Sequence, residues 1–212
     1  AEPKARLLAG ATDIGLWVNK QMRDIGDVLY IGAVDELKRI ERSDGYLRIG
    51  AAAPLEDAFT ALVSDWPVLN EVYKRFSSPP VRHAGTLGGN VANGSPIGDG
   101  PPTLMALGAE LVLRRGSERR QIPLDRFYHD YMKNDLREGE FIERIDVSLP
   151  SVGQEVRVYK VSKRYDSDIS AVCAGMMIER ALDVTISQAR FALGGMAAIV
   201  KRASDAGRVV IG

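Results

Sequence analysis

The sequence predicts an α+β fold, on two observations. Strand-like segments gather into runs of neighbours instead of alternating strictly with helical ones, as a doubly wound sheet would require. Helical spacing is concentrated in one stretch, residues 55 to 76, between two strand-rich regions. A composition of 45% hydrophobic and 26% charged residues over 212 positions is ordinary for a globular chain, and it supports a sizeable core in one domain or a domain with a small partner.

In chain order, ARLLAGA (5 to 11) and VLYIG (28 to 32) are short apolar runs, each reaching a glycine, and read as buried strands that deliver the chain into loops. VDELKRI (34 to 40) reads as a brief helix. The turn signal Ser43-Asp44-Gly45 precedes YLRIGAAAP, a strand stopped by Pro54. Leu55, Phe59, Leu62 and Val63 recur at helical spacing, and Val68, Leu69, Val72 and Phe76 repeat the pattern after Pro67, so two amphipathic helices are predicted.

The run RHAGTLGGNVANGSPIGDGPP (82 to 102) interrupts this order with five glycines between Gly88 and Gly100 and three prolines from Pro96 on. It reads as a long loop. TLMALGA beyond it reads as a short helix, and ELVLRR, RRQIPL and FIERIDVSLP as strands. Strict alternation along the last strand puts Phe141, Ile145, Val147 and Leu149 on one face. Ile142 then falls with Arg144, Asp146 and Ser148, an apolar residue on the polar side. A weak boundary follows Pro150, dividing the chain into 1–150 and 151–212. EVRVYKVSKR, ISAVCAGMMIER and DVTISQARFALGG would form a small antiparallel C-terminal unit.

Twenty-eight basic and 28 acidic residues cancel and no like-charge run is long, which removes the electrostatic footprint of a nucleic-acid binder. No apolar run is long enough to span a bilayer and the first residues lack the pattern of a signal peptide, so a cytoplasmic location is expected. The single cysteine, Cys173, lies in an apolar strand and reads as a core residue.

Two segments could carry chemistry. The glycine run has neither the Rossmann nor the Walker pattern. Its glycines still permit close backbone approach to a ligand, successive N–H groups can form an anion-holding nest, and Thr86 and Asn90 flank Gly88-Gly89 with hydrogen-bonding side chains. The same residues also suit a surface loop rich in turns. LLAGATDIG (7 to 15) places Gly10, Ala11, Thr12 and Asp13 directly after a strand. That is either an anion-sized cradle or a strand-to-helix turn with Asp13 as cap.

LLAGATDIG, then VRHAGTLGGNVANGSPIGD, FIERIDVSLP and YKVSKRYDSDISAVC, four motifs in this order, resemble the flavin domain of the molybdenum hydroxylases, above all the xanthine dehydrogenase type of bacteria. The resemblance runs from about residue 5 to about residue 202. It implies a type-2 FAD-binding fold, similar to vanillyl-alcohol oxidase and other PCMH-type proteins, with two subdomains enclosing FAD and a small C-terminal α+β unit beside them. Both ends of that fold are expected to be incomplete here.

The resemblance further implies that Leu7, Leu8, Ala9, Gly10, Ala11, Thr12, Asp13 and Ile14 wrap the FAD diphosphate, with Thr86, Leu87, Gly88, Gly89 and Asn90 as the second loop on it. Phe76 would lie against the adenine, Asp99 would hydrogen-bond near the nucleotide, Ile142 would pack on the flavin ring and Lys160 would reach the cofactor. Arg164, Tyr165, Asp166 and Asp168 would lie where nicotinamide approaches, tuning the flavin or positioning NAD. FAD would be held noncovalently, leaving His83 and His129 structural or exposed. No side chain is expected to act as acid, base, nucleophile or metal ligand.

The expected function is electron transfer: electrons come from [2Fe-2S] clusters and a molybdopterin centre in partner domains or chains, and hydride leaves to NAD. The alternatives are the medium flavoprotein subunit of a carbon monoxide dehydrogenase or of another molybdenum hydroxylase and, more distantly, a noncatalytic nucleotide-binding module.

Overall fold

The computed structural model describes residues 5–212. The chain opens with β1 (Arg6–Leu8), α1 (Ile14–Asn19) and β2 (Val28–Tyr30), the two strands forming a short parallel sheet in which Leu7 lies opposite Leu29. The strands are where the sequence places them but they are not buried: none of residues 5 to 36 is. The two strands hold no buried residue and neither does α1, so their apolar side chains stay exposed or half-buried. The guanidinium groups of Arg6 and Arg23 lie over the Trp17 ring, at 5.1 and 4.9 Å from its centre.

The brief helix expected at 34 to 40 is one 3₁₀ turn, Asp35–Lys38, whose Leu37 is buried. Next come β3 (Ile40–Ser43), β4 (Tyr46–Gly50) and α2 (Leu55–Asp65), then a 3₁₀ turn started by Pro67, and α3 (Asn70–Arg75). The second predicted helix is therefore shorter than its apolar spacing suggests. Val68 sits exposed in the 3₁₀ turn, and Phe76, just past α3, still packs on Phe59 at 5.1 Å between ring centres.

The glycine and proline run is not a long loop. It folds into α4 (Pro79–Ala84), α5 (Leu87–Asn93) and α6 (Gly100–Ala106). Prolines occupy the first turns of α4 and α6, where their missing N–H costs nothing. Thr86 caps α5 by accepting the Gly89 N–H at 3.1 Å, and Gly94 ends it in the left-handed conformation, φ 63°.

The remainder is β5 (Glu110–Arg115), β6 (Glu118–Pro123), the small hairpin β7 (Tyr128–Asp130) and β8 (Lys133–Asn134), and β9 (Phe141–Ser148). It ends with β10 (Gln154–Val161), β11 (Val172–Arg180), β12 (Ile186–Gly194), β13 (Lys201–Arg202) and α7 (Ser204–Val209). One antiparallel sheet has the order β3-β4-β9-β5-β6, another β10-β11-β12-β13.

Strict alternation along β9 is broken by a bulge. Val112 pairs with Arg144 but Leu113 pairs with Ile142, which leaves Glu143 as the extra residue. The bulge turns Ile142 onto the face of Ile145 and Val147, opposite Leu113 and Leu111, and it is 4% exposed. Ile142 is thus a core-side residue, not an apolar residue on the polar face.

Leu47, Ile49, Leu111, Leu113, Ile145 and Val147 pack against Phe59 and Leu62 of α2, Leu87 and Val91 of α5 and Leu104 of α6. Val156, Val158, Cys173 and Met177 of the C-terminal sheet belong to the same buried cluster, so the core continues past Pro150. The join is tight: a Cβ on Gly175 of β11 would run into the carbonyl of Pro102 at the start of α6.

Candidate functional site

The first wall of the site is the chain between β1 and α1. Gly10 lies so close to the joint between α4 and α5 that a Cβ there would meet the carbonyl oxygen of Ala84 and the backbone of Gly85. Glycine is therefore required for this segment to dock. Ala11 adopts φ 60°, a conformation costing a non-glycine residue about 1–3 kcal/mol. Among the described residues, the five consecutive N–H groups from Ala9 to Asp13 donate to no protein acceptor. Ala9, Gly10 and Thr12 are half-buried and Ala11 and Asp13 exposed, so these N–H groups at the edge of a cleft are left for solvent or for an anionic ligand.

The second wall is Thr86 with α5, and its donors are used differently. The Leu87 N–H donates to Ala53 O at 3.0 Å, the Gly88 N–H to Ala51 O at 2.9 Å, and the Gly89 N–H to Thr86 Oγ1. Leu87 is fully buried and turned away from the cleft. The two glycines also differ. A Cβ on Gly88 would collide with Ala51, whereas one on Gly89 would meet only Thr86 Oγ1, at 2.8 Å, and otherwise enter the cleft. The nest expected across the whole glycine loop is thus confined to the first segment, and α5 contributes open space at Gly89 and side chains. Asn90 borders the cleft with its Oδ1 buried and without a hydrogen-bond partner.

Between these walls lies a cleft of about 640 Å³, within the ~300–1,000 Å³ usual for small-molecule and cofactor sites. Leu7 to Ile14, Phe76, Thr86, Gly88, Gly89, Asn90, Asp99, Ile142 and Lys160 all line it, as do Phe141, Met132 and Leu136. Met132 sits at the turn of the β7–β8 hairpin, which is tied to α5 by Tyr128 OH donating to Val91 O at 2.8 Å and Asn134 Nδ2 to Ala92 O at 3.1 Å. Four of the seven non-glycine residues with positive φ among those described, Ala11, Ser77, Met132 and Ser167, line this one cleft. Strain of that kind persists where a site over-determines the backbone.

Of Arg164, Tyr165, Asp166 and Asp168, only Asp168 lines the cleft, where its carboxylate accepts the Arg164 N–H at 2.8 Å and Arg164 Nη2 at 3.2 Å. These bonds hold Asp168 below the usual carboxylate range. Arg164, Tyr165 and Asp166 lie outside the lining. Tyr165 stacks on the guanidinium of buried Arg75 at 4.5 Å, and Arg75 also donates to the carbonyls of Tyr165 and Lys160, at 3.1 and 2.9 Å. This arginine fastens the 162–170 loop to α3.

Asp99 and Lys160 face the cleft but are engaged with each other, Lys160 Nζ lying 2.5 Å from Asp99 Oδ2, both side chains buried. Ser170 donates to the other carboxylate oxygen. Burial, then the charge of Asp99, pushes the neighbouring Cys173 thiol well up, so it stays a neutral core residue. Sequence reasoning missed Ser77, Met132, Ser167 and Ser170, which carry no local signal. Phe141 it placed on the core face of β9, but Phe141 is half-buried and lines the cleft. No cluster of His, Cys, Asp and Glu suited to a metal exists among the described residues, and none of their helices is long and apolar enough to cross a membrane.

The fold and the site together define a protein with an elongated cleft between an N-terminal backbone cradle and a wall supplied in part by its C-terminal sheet. Residues 1–151 match the family described as the FAD binding domain in molybdopterin dehydrogenase, and residues 157–212 that described as the CO dehydrogenase flavoprotein C-terminal domain. A nicotinate hydroxylase of Emericella nidulans is 33% identical over 92% of the chain, and a xanthine dehydrogenase of the same organism 29% identical over 96%. The chain spans 16% of the length of each. Among solved structures, a carbon monoxide dehydrogenase from Hydrogenophaga pseudoflava, lacking the Mo-pyranopterin moiety of its molybdenum cofactor, superimposes with a TM-score of 0.90 at 27% identity. That match covers 99% of this chain and 73% of that one. The chain belongs to the family of FAD-binding domains of the molybdenum hydroxylases, with their PCMH-type fold.

The residues present fit FAD. Five N–H donors without a protein acceptor suit a diphosphate, the space beside Gly89 admits close approach, and Phe141, Ile142, Met132 and Leu136 supply an apolar wall for a ring.

Proposed function

We propose that this chain is the FAD-binding electron-transfer component of a xanthine dehydrogenase-like molybdenum hydroxylase in the cytoplasm, with residues 1–150 as its main FAD-binding domain and 151–212 as a C-terminal subdomain. The observation that carries the FAD site is the run of unspent N–H groups from Ala9 to Asp13, opposite Thr86 and Gly89. Bound there, FAD supplies storage for two electrons that arrive singly from [2Fe-2S] clusters of a molybdopterin-containing partner and leave together as hydride to NAD.

The protein's part is binding and orientation. Ala9 to Asp13 would hold the diphosphate by backbone donors, with the Thr12 and Thr86 hydroxyls and the Asn90 side chain beside them. Phe76 and Ile142 would pack its two ring systems and exclude water, while Lys160 would set a positive charge against it. Asp168 at the cleft edge, with Arg164, Tyr165 and Asp166 behind it, would position NAD.

The purified chain, supplied with FAD, should show a flavin spectrum and bind FAD one to one; a colourless protein that takes up none would overturn this reading. NAD reduction by the complete complex with a purine decides the acceptor and substrate. The match to carbon monoxide dehydrogenase favours a second reading, a medium flavoprotein subunit passing electrons to another acceptor. A complex that is reduced by its substrate but leaves NAD untouched would select it.

A further inference from the structure

The joint between α3 and α4, residues 76 to 78, belongs to no helix or strand, so no backbone ladder fixes its shape. Ser77 holds φ 49° there, and Phe76 and Ser77 both line the cleft. A non-glycine residue stays in that region only where its surroundings hold it. Two side chains from elsewhere do so: the Ser77 carbonyl accepts Ser167 Oγ at 3.3 Å, and the Phe76 carbonyl accepts Arg82 Nη1 at 3.0 Å.

Arg82 lies in the last turn of α4 yet is 7% exposed, and its fork is divided. Nε donates to Glu56 Oε2 of α2 at 2.7 Å while Nη1 reaches the Phe76 carbonyl, and the guanidinium lies over the Tyr73 ring of α3, 5.0 Å from its centre. Tyr73 OH closes the circuit by donating to Glu56 Oε1 at 2.5 Å, and the Phe59 ring packs on both Tyr73 and Phe76, at 6.0 and 5.1 Å between centres. Hydrogen bonds from Tyr73 and then Arg82 hold Glu56 below the usual carboxylate range, so it stays charged beside the guanidinium. None of Arg82, Glu56, Tyr73 and Phe59 lines the cleft, whereas Phe76 does.

We propose that Arg82 is a positioning residue for the adenine end of the cofactor: by dividing its fork between Glu56 and the Phe76 carbonyl it fixes the 76–78 joint on α2 and holds the Phe76 ring at the cleft. The inference rests on the reading that the cleft holds FAD with Phe76 against its adenine. A lysine at 82 keeps a positive charge for Glu56 but offers a single nitrogen where the fork offers several, so the Phe76 carbonyl loses its donor and the joint relaxes.

The test is a double-mutant cycle on FAD affinity, by fluorescence titration of the chain in wild type, Arg82→Lys, Phe76→Leu and the two combined. Arg82→Lys should weaken FAD binding about tenfold, the cost of one released buried acceptor, and leave the binding of FMN, which has no adenine, unchanged. In the Phe76→Leu chain the same substitution should cost nothing further, because the ring it positions is gone. Additive losses, an equal loss of FAD and FMN, or full FAD affinity in either single variant would overturn the proposal. Where FMN binds too weakly to follow, the cycle alone decides. If Arg82→Lys does not fold, Arg82→Gln, which likewise cannot span both acceptors, takes its place, and a chain that folds with neither makes Arg82 a residue of the fold alone and overturns the proposal. A wild-type chain that takes up no FAD sinks the functional reading itself, a distinct result.

Discussion

Gly88 and Gly89 are neighbours in one helix turn and answer to different constraints. Gly88 is glycine because Ala51 leaves no room for a Cβ, and its N–H is bonded to Ala51 O. Gly88→Val should therefore destabilise the FAD-free protein by about 1–3 kcal/mol through overpacking, measured by urea denaturation. Gly89→Val displaces only the Thr86 hydroxyl, so it should cost less stability than Gly88→Val while lowering FAD affinity at least tenfold in a fluorescence titration, because its side chain enters the cleft beside Thr86. From the sequence the two glycines were one motif. Their difference arises from which backbone stands behind each, and Ala51 lies far from both along the chain. Leu87 makes the same point, its apolar character serving the core while its motif neighbours face the ligand.

Among the elements, β9 shows how one extra residue reassigns a face. The bulge at Glu143 lets Arg114 and Arg119 converge on that carboxylate at 2.7 and 2.6 Å and returns Ile142 to the core side, from which it still borders the cleft. The segment entering β9 is held by Arg120 of β6, which bonds Glu140 at 2.7 Å and Asp135 at 2.6 Å. Hydrogen bonding to Arg120 lowers Glu140 from its ordinary 4.5 to about 2. A carboxylate depressed in the folded state contributes stability that is complete above about pH 4.5 and lost as pH falls toward 2. Glu140→Gln should therefore melt below wild type at pH 7, with the gap narrowing as pH drops through that window, seen in thermal midpoints at pH 7 and pH 3. The 162–170 loop depends likewise on one side chain. Arg75→Ala should raise amide exchange across residues 162 to 168 at least tenfold while α3 itself remains protected.

At the scale of the whole molecule, α6 and the C-terminal sheet are joined by a buried ion pair and one continuous core. Lys160→Met would leave Asp99 charged and uncompensated, a loss of about 3–5 kcal/mol that denaturant unfolding would record. A cofactor binding only the folded chain should stabilise it by about 2.7 kcal/mol at a hundredfold excess over Kd, so the melting temperature should climb with FAD concentration. The sequence by itself determined the α+β class, most strand positions and the two motifs that meet at the cleft, because apolar alternation, turn residues and glycine placement are local properties of the chain. Only the tertiary structure decided that the unspent donors belong to Ala9–Asp13 and not to Leu87–Gly89, that Ile142 is a core-side residue, and that Asp99 serves Lys160 and Ser170. Those outcomes depend on strand register and on partners 61 and 71 residues apart, and neither is encoded in any local pattern.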